Sequence, residues 1–515
     1  MAKIIYNNIL GLAPASTTRT NLKIGQEYHV ANSFGMDPIK VPGIMQPGRT
    51  SSTNLDTGSK IAATVKKFIP YVGGSTPAFY SIEHGVKIHA QIALDGVVDD
   101  ATYFSNFPLS ITAHGGHSTP VIEDAVVYTV GSTNYLFTSW NDNTDGDVAQ
   151  STMTGGAHDT DFMSTVASGG AVLGKYPHPL LVAENGMMYI FDGPSIHKYD
   201  GQTGANGTFT ATVIDLPKTW VFKDAIDYQG YAWAIAIEDF QSFQSTSALP
   251  ARKAGVFLWN YINRKSNEFS GFSTKGPYIM HDIQDVGPIF VFNGVPHCFV
   301  INSAGNTELR RFTGSEFSPI WQEPGNIMPY KGGISRYYNH IMWAAKGSGT
   351  IYTYGKTGDG MPEVFNVLGS SGGSANGAMA MGTAGNLWIA YDTSMKLFTG
   401  TYSSMTITSL IKELPKLARV QSITLFYPPI SDVTNSTMTL TFYRNFSTTA
   451  VSGTYEATHS TDGARGWKYF ALGGKNFQNF NALRLHISYS LAGAATESMN
   501  LYRIEIEYEA EEKTK

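Results

Sequence analysis

Short paired strands recur along most of this chain, and their repetition constrains the fold more than any other feature. From about residue 59 to 405, pairs of short apolar runs alternate with turns rich in Gly and Asn. The clearest copy runs through Glu184–Asp192, the turn Gly193-Pro194 and a second run, Ser195–Gly201. Gly-Pro, and the Asn185-Gly186 dipeptide within the first run, are typical of tight turns beside strands. The pattern therefore predicts strand-turn-strand units.

The spacing of these units indicates how they assemble. A second close copy spans Ala384–Asp392 and Ser394–Gly400, and looser copies surround further aromatic anchors. The anchors are Tyr128, Tyr189, Trp233, Phe292, Trp343 and Trp388. Their mean separation is about 52 residues, near the roughly 40–50 residues of a propeller blade.

The fold class follows from this repetition. No amphipathic helix of convincing length lies between the strands, which excludes alternating βα units and with them the Rossmann and TIM-barrel folds. We predict an all-β fold with an irregular six- or seven-bladed β-propeller over residues 59–405. Because the repeat lacks a strict signature, a β-sandwich array or a β-helix is the alternative.

The two ends of the chain differ from this central region. Residues 1–58 contain four prolines and little sustained periodicity, which predicts an extended N-terminal arm ordered by its own domain or by a neighbouring subunit. A terminus without fixed structure is the alternative. Residues 406–508 have longer strands with clean alternation, such as Thr437–Tyr443, and predict a β-sandwich. Residues 509–515 form a charged tail.

Composition excludes several classes of protein. Charged residues make up only 15% of the chain and the formal net charge is −5, so no overall positive field attracts nucleic acid. The single cysteine, Cys298, cannot form an internal disulfide or supply a cysteine-based zinc site. No run approaches 18 consecutive apolar residues, so no membrane span is expected.

Few motifs point to chemistry. His114 and His117 flank two glycines and could present two imidazoles to a metal, but a turn is the favoured interpretation. Asn141–Asp147 is similar to the start of a calcium loop, yet Thr152 stands where its bidentate Glu belongs, so we predict a turn. Cys298 lies in an apolar run and is predicted to be a core residue. We therefore expect no catalytic, cofactor-binding or metal-binding residue.

Two functional alternatives remain open at this point. A propeller glycosidase would need two central carboxylates, for which the candidates are Glu123, Asp124, Glu184, Glu238, Asp239 and Glu316. A receptor- or carbohydrate-binding protein would use exposed aromatic side chains as platforms for sugar rings, for which the candidates are Trp140, Trp259 and Trp467.

The layout of the whole chain resembles that of structural tail proteins of tailed bacteriophages. Three features carry the resemblance: the turn-rich opening through 32–48, the propeller with its stretch Gly349–Lys356, and the terminal sandwich. The sandwich begins at Lys416–Leu425 and closes with Leu501–Ile506.

This resemblance implies a function but no catalytic residues. It implies a non-enzymatic virion component, assembled in the host cytoplasm, in a nozzle or distal tail-hub ring around the DNA exit channel. Its partners would be further copies of the same chain and neighbouring tail proteins, and DNA would pass without specific binding. The low charge and abundant aromatics agree with large permanent interfaces, and the negative net charge agrees with a channel that does not grip phosphate.

Overall fold

The structure is a computed structural model. It describes residues 1–6, 21–22, 30–34, 36–37, 46–47, 49–54, 61–70, 78–92, 108–112, 120–142, 144–239, 252–262, 272–273, 275–356, 363–365, 376–381, 387–401, 404–409, 411–428, 437–445, 450–451, 455–458, 465–472, 477–490 and 501–510.

Six short strands precede the first large sheet. They are β1 (Ala2–Tyr6), β2 (Asn21–Leu22), β3 (Val30–Phe34), β4 (Met36–Asp37), β5 (Gln46–Pro47) and β6 (Arg49–Asn54). Of these, β4 and β5 pair only with each other among the described residues, whereas the other four join sheets formed by distant parts of the chain.

A ring of small antiparallel sheets follows. Blade one contains β7 (Val65–Pro70), β8 (Ala78–Glu83), β9 (Lys87–Ile92) and β10 (Leu109–Ser110). Blade two contains β11 (Val121–Val130), β12 (Thr133–Asn141), β13 (Gly146–Thr152) and β14 (His158–Asp159), and a short helix α1 (Phe162–Thr165) follows it. Blade three contains β15 (Leu180–Val182), β16 (Met188–Asp192), β17 (Ser195–Asp200) and β18 (Thr208–Asp215).

Blades four and five share one strand and so form a seven-stranded sheet. The strands are β19 (Trp220–Tyr228), β20 (Tyr231–Glu238), β21 (Arg252–Trp259), β22 (Tyr278–Phe292), β23 (Val295–Asn302), β24 (Thr307–Phe312) and β25 (Phe317–Glu323). The first part of β22 pairs with β21 and its second part pairs with β23. The strand therefore serves as the outer strand of blade four and the inner strand of blade five.

The last two blades complete the ring. A 3-10 turn (Lys331–Gly333) precedes blade six, which contains β26 (Ile334–Tyr337), β27 (His340–Ala344), β28 (Ile351–Gly355) and β29 (Glu363–Phe365). Blade seven contains β30 (Asn376–Met381), β31 (Leu387–Tyr391) and β32 (Ser394–Thr401) from the C-terminal end of the ring. Its fourth strand is β6, which pairs antiparallel with β32.

The inner strands run round a common axis. Neighbouring inner strands contact one another from β7 through β11, β15, β19 and β22, and β30 closes the circle by contacting both β26 and β7. The described residues thus form a seven-bladed β-propeller, which confirms the predicted all-β fold. Closure by an N-terminal strand joins the two ends of the ring without a covalent bond.

The remaining strands form a second all-β unit. They are β33 (Ser404–Ser409), β34 (Ile411–Phe426), β35 (Thr437–Arg444), β36 (Tyr455–Thr458), β37 (Trp467–Ala471), β38 (Phe480–Ser490) and β39 (Arg503–Ala510). One half of the long strand β34 pairs with β38, and the other half pairs with β39 and β37. Alternate residues such as Leu440, Leu485 and Ile504 are fully buried in one shared cluster, as their period of two predicts.

The segment predicted as an extended arm contributes strands to both units. Strand β1 pairs with β39, β2 pairs with β34 and β3 pairs with β33, so this segment edges the C-terminal unit. Strand β6 then closes the propeller. At the other end, β39 extends to Ala510, into the segment predicted as a charged tail. These pairings join residues several hundred positions apart, so local sequence patterns do not reveal them.

Aromatic side chains fill the spaces between the blades. Four of the predicted anchors (Tyr189, Trp233, Trp343 and Trp388) lie on second strands, and all four are buried. Tyr128 and Phe292 instead lie on inner strands, because alternation along a strand does not distinguish its place within a blade. An apolar cluster that includes Met342 and Ile389 continues into the C-terminal unit through Leu414 and Tyr6.

Candidate functional site

A repeated irregularity places charged residues near the propeller axis. In four blades the inner strand shifts register by one residue against the second strand, between Val65 and Lys67, Ile122 and Asp124, Phe222 and Asp224, and Ile283 and Asp285. The sequences at these bulges are Val65-Lys66-Lys67-Phe68, Ile122-Glu123-Asp124-Ala125, Phe222-Lys223-Asp224-Ala225 and Ile283-Gln284-Asp285-Val286. A bulge redirects a side chain locally. The recurring polar pair between apolar residues is a signal that the sequence analysis missed.

Asp124 is the centre of the resulting network. Its side chain is buried, and Oδ1 lies 2.5 Å from the Nζ of Lys67 on blade one. Oδ2 accepts a hydrogen bond from the backbone N–H of Leu180 on blade three at 3.0 Å and lies 3.3 Å from the Nζ of Lys331. One carboxylate on blade two thus connects three other parts of the ring.

Asp224 repeats this arrangement in blade four. Its Oδ2 accepts a hydrogen bond from the backbone N–H of Ile289 on blade five at 3.0 Å, and its Oδ1 lies 2.6 Å from the Nζ of Lys331. Blades two and four are not neighbours, so a side chain that contacts both Asp124 and Asp224 must lie inside the ring. Lys331 therefore occupies the propeller axis at this end.

A glycine makes this position of Lys331 possible. The 3-10 turn that carries Lys331 passes directly against the inner strand of blade one. A Cβ atom at Gly332 would lie 2.4 Å from the carbonyl oxygen of Lys66 and 2.5 Å from the Cα of Lys67. Only glycine allows the turn to approach so closely.

The electrostatics of the network favour fixed charges on two of its members, Asp124 and Lys331. Burial alone would raise the pKa of Asp124, but the ammonium groups of Lys331 and Lys67 hold it well below its usual range. Burial alone would lower the pKa of Lys331, but Asp124 and Asp224 hold it above its usual range. For Lys66 and Lys67, burial outweighs the neighbouring carboxylates and lowers the pKa. Asp124 and Lys331 consequently stay ionised at neutral pH.

A cavity of about 250 Å³ opens beside this network. Its lining includes the carboxylates Glu123, Asp124, Asp224 and Asp285 and the ammonium groups of Lys223, Lys331 and Lys346. The Nζ of Lys346 lies 4.8 Å from the centre of the Tyr330 ring, and His84 packs against the same ring at 5.7 Å. Burial, together with Lys66 and Lys346, lowers the pKa of His84. The cavity thus combines both signs of charge with one aromatic wall.

The structure brings only two of the predicted glycosidase carboxylates together at the axis. Glu123 and Asp124 lie at the axis, whereas Glu184 lies in the turn between β15 and β16, where its backbone N–H donates to Asp227. Asp239 follows β20 and lies 3.6 Å from Arg252, and Glu316 lies in the turn before β25. At the axis, Asp124 already forms ion pairs with Lys67 and Lys331. This arrangement is suited to holding the blades together.

Of the three tryptophans predicted as sugar-binding platforms, two are buried and one is exposed. Trp140 and Trp259 are fully buried, so the prediction that they form exposed platforms is wrong. Their indole N–H groups donate to the backbone oxygens of Thr160 and Ile262, which fixes them as core residues between strands. Trp467 is 41% exposed on β37.

The two candidate metal-binding motifs differ in whether the structure describes them. Asp142 Oδ1 accepts hydrogen bonds from the N–H groups of Thr144 and Asp145, which makes this segment the turn between β12 and β13, as predicted. His114 and His117 lie outside the described residues. Among the residues that are described, no group of three or more His, Cys, Asp or Glu side chains is arranged to hold a metal ion.

Cys298 is a core residue, which confirms the prediction. It is fully buried on β23, and burial raises the pKa of its thiol to about 12. The described part of the chain contains no helix that is long and apolar enough to cross a membrane.

The sequence matches no protein-family model and no curated protein. Among solved structures, a streptogramin B lyase shares 11% identity over 69% of this chain and 97% of its own, with a TM-score of 0.38. The extracellular domain of a putative hybrid two-component system from B. thetaiotaomicron shares 10% identity over 83% of this chain and 48% of its own, with a TM-score of 0.41. An exo-β-1,3-galactanase from Phanerochaete chrysosporium shares 11% identity over 90% of this chain and 100% of its own, with a TM-score of 0.27.

Proposed function

We propose that this chain is a non-enzymatic structural subunit of a bacteriophage tail, which self-associates into a nozzle or distal hub ring around the DNA exit channel. The phage assignment rests on the sequence layout. The structural role rests on the axial network, where buried charges are used to hold the blades together. Asp124 alone connects blade two with blades one and three and with the turn before blade six. Such a fixed ion pair favours a rigid frame over proton transfer.

The path of the chain supports the same role. The N-terminal segment edges the C-terminal unit through β1 and closes the propeller through β6. The chain then returns to the C-terminal unit after blade seven. Pulling the two units apart along this segment would have to break strand pairing at β1 or β6, which suits a component that bears load during tail assembly and DNA ejection.

The axial network also constrains the geometry of the proposed ring. Because Lys331 occupies the axis of the propeller, DNA would pass between copies of the chain and not through one propeller. The net charge of −5 keeps such a channel wall from binding phosphate strongly. The 15% content of charged residues suits contacts between copies and with neighbouring tail proteins.

Measurement of the mass of the purified protein tests this proposal. Light scattering over a concentration series, with electron micrographs of the same samples, should show a defined oligomer that closes into a ring. A strict monomer at every concentration would contradict self-association through this chain's own surface. As a control for folding, the same samples should show a single cooperative thermal transition, as expected when β6 is paired with β32.

A receptor- or carbohydrate-binding tail protein is a second candidate, favoured by one observation. Trp467 is 41% exposed and Tyr469 is 47% exposed, and both lie on the same face of β37. Residues two apart on a strand lie about 7 Å from each other, a spacing that allows both rings to contact one sugar chain. Binding on a glycan array that is lost in Trp467→Ala, but kept in Tyr338→Ala, which removes a comparably exposed aromatic ring from blade six, would support this candidate.

A further inference from the structure

One part of the sheet in the C-terminal unit has two open edges. Across the second half of β34, the strands lie in the order β37, β34, β39 and β1, and every neighbouring pair is antiparallel. Among the described residues, β37 pairs only with β34, and β1 pairs only with β39. An open edge presents backbone N–H and C=O groups to any strand that can reach it. The two edges are therefore candidate surfaces for strand pairing.

The two edge strands match in length and in position along the strand direction. Both β1 and β37 contain five residues. The register through β39 and β34 places Ile5 of β1 and Tyr469 of β37 in one cross-strand row. The next row joins Ile4 to Phe470 in the same way. Neither edge strand is thus displaced along the strand direction relative to the other.

The directions of the edge strands allow copies of the chain to join side by side. Three antiparallel steps separate β1 from β37, so these two strands run in opposite directions. A rotation about an axis parallel to the strands brings a second copy beside the first without reversing any strand. The β1 strand of the second copy then lies antiparallel to the β37 strand of the first, as elsewhere in this sheet. Because this contact joins two different edges, it repeats from copy to copy and can close into a ring.

Side chains at the two edges favour this contact. On the outer face of the sheet, Ile5 of β1 is 44% exposed, and Trp467 and Tyr469 of β37 are 41% and 47% exposed. With the rows aligned, the Ile5 side chain of one copy packs beside the Tyr469 ring of the next. In the following row of this face, Lys3 meets Ala471, so no like charges oppose each other there. Neither strand contains a proline, and neither pairs with a bulge, so neither has these two barriers to pairing.

We propose that copies of this chain associate by edge-to-edge strand pairing, with β1 of one copy added to β37 of the next. The four-stranded part of each C-terminal unit then continues into that of its neighbour, and the shared sheet runs round the ring. Backbone hydrogen bonds supply affinity, and the row that joins Ile5 to Tyr469 sets the register. This inference rests on the proposed self-association and names the surface responsible for it.

Cysteine cross-linking of the full chain tests this pairing. Ile5→Cys and Tyr469→Cys are purified separately, mixed and oxidised, and the native Cys298 stays buried in both. A disulfide should join the two variants, because opposed residues on paired strands lie about 5 Å apart, within the range of a disulfide. Within one chain the two positions are three strand spacings apart, about 14 Å, which is too far for a disulfide. Ile5→Cys mixed with Tyr338→Cys, a comparably exposed position on blade six, is the control and should not cross-link.

Charged variants of the two edges give a second measurement, by light scattering. Lysine on an exposed edge strand opposes pairing with another strand. Ile5→Lys and Tyr469→Lys should each raise the concentration needed for half-assembly about tenfold or more, because each removes the apolar contact between copies. Tyr338→Lys, on blade six, should leave that concentration unchanged. Thermal unfolding checks that each variant folds.

Four results would overturn the proposal. They are the absence of a disulfide between Ile5→Cys and Tyr469→Cys, equal cross-linking in the control mixture, unchanged assembly in both lysine variants, and a disulfide formed by Tyr469→Cys with itself. The last result indicates two-fold pairing of β37 strands. If the native protein still forms a ring, the proposed tail role stands and only this interface is wrong. A native protein that stays monomeric at every concentration contradicts both.

Discussion

Asp124→Asn is the substitution that most directly tests how the propeller is held together. It keeps the size of the side chain but removes the charge that Lys67 contacts at 2.5 Å and Lys331 at 3.3 Å. It also replaces one acceptor oxygen with an NH2 group, beside the backbone donor of Leu180 or of Ala125. Removing one partner of a buried ion pair typically costs about 3–5 kcal/mol, because the other charge stays buried. We expect a loss of this size in the free energy of unfolding.

The pH dependence gives an independent check of the same charge. The pKa of Asp124 is lower in the folded than in the unfolded chain, where an Asp titrates near 4. Its stabilisation is therefore fully present above about pH 4 and is lost as the pH falls further toward the folded value. The difference in stability between the native protein and Asp124→Asn should be constant at neutral pH and should shrink below about pH 4.

Chemical denaturation followed by tryptophan fluorescence measures the effect, with thermal unfolding as a second observable. Asp285→Asn is the matched control, since it alters the same bulge position in blade five, where the side chain is 42% exposed and lies 3.8 Å from Lys223. A solvated pair of this kind contributes about 0–1 kcal/mol. Asp124→Asn combined with Lys67→Met should be less destabilised than Asp124→Asn alone. Equal, small losses for Asp124→Asn and Asp285→Asn would refute the axial network as a source of stability.

Four further outcomes are expected. Gly332→Ala should lose about 1–3 kcal/mol of stability by denaturation, since its Cβ would meet the Lys66 carbonyl oxygen at 2.4 Å; an unchanged midpoint would contradict the close approach. The thiol of Cys298, with its pKa raised to about 12 by burial, should react with a chromogenic disulfide reagent at pH 8 only after denaturant is added. Burial lowers the pKa of His297 to about 4, so its contribution to stability should fall as the pH drops from about 6.5 to 4, by at most about 1.4 kcal/mol per pH unit, and His297→Gln should show a flatter profile than the native protein. Deletion of residues 1–54 removes β1, β3 and β6 and should abolish the cooperative thermal transition, and a native-like transition in the truncated chain would show that neither unit needs these strands.

The axial site shows what sequence patterns can and cannot reveal. The runs Ile122–Ala125 and Phe222–Ala225 both place a charged residue and then Asp between apolar residues, so the repeated inner strand is visible in the sequence. Their meeting at one lysine is not visible. Lys331 lies in a turn without periodicity, and only closure of the ring brings it between Asp124 and Asp224.

The all-β class, the repeated strand pairs and the alternating strands of the C-terminal unit follow from local sequence patterns, because these features depend on residues close along the chain. Which distant strands pair depends on the folded chain. The tertiary structure placed β6 beside β32 and β1 beside β39, since backbone hydrogen bonds carry little sequence information and a strand edge accepts many partners. It likewise decided that Trp140 is buried and Trp467 is exposed, because the burial of an aromatic ring depends on what packs over its face of the sheet.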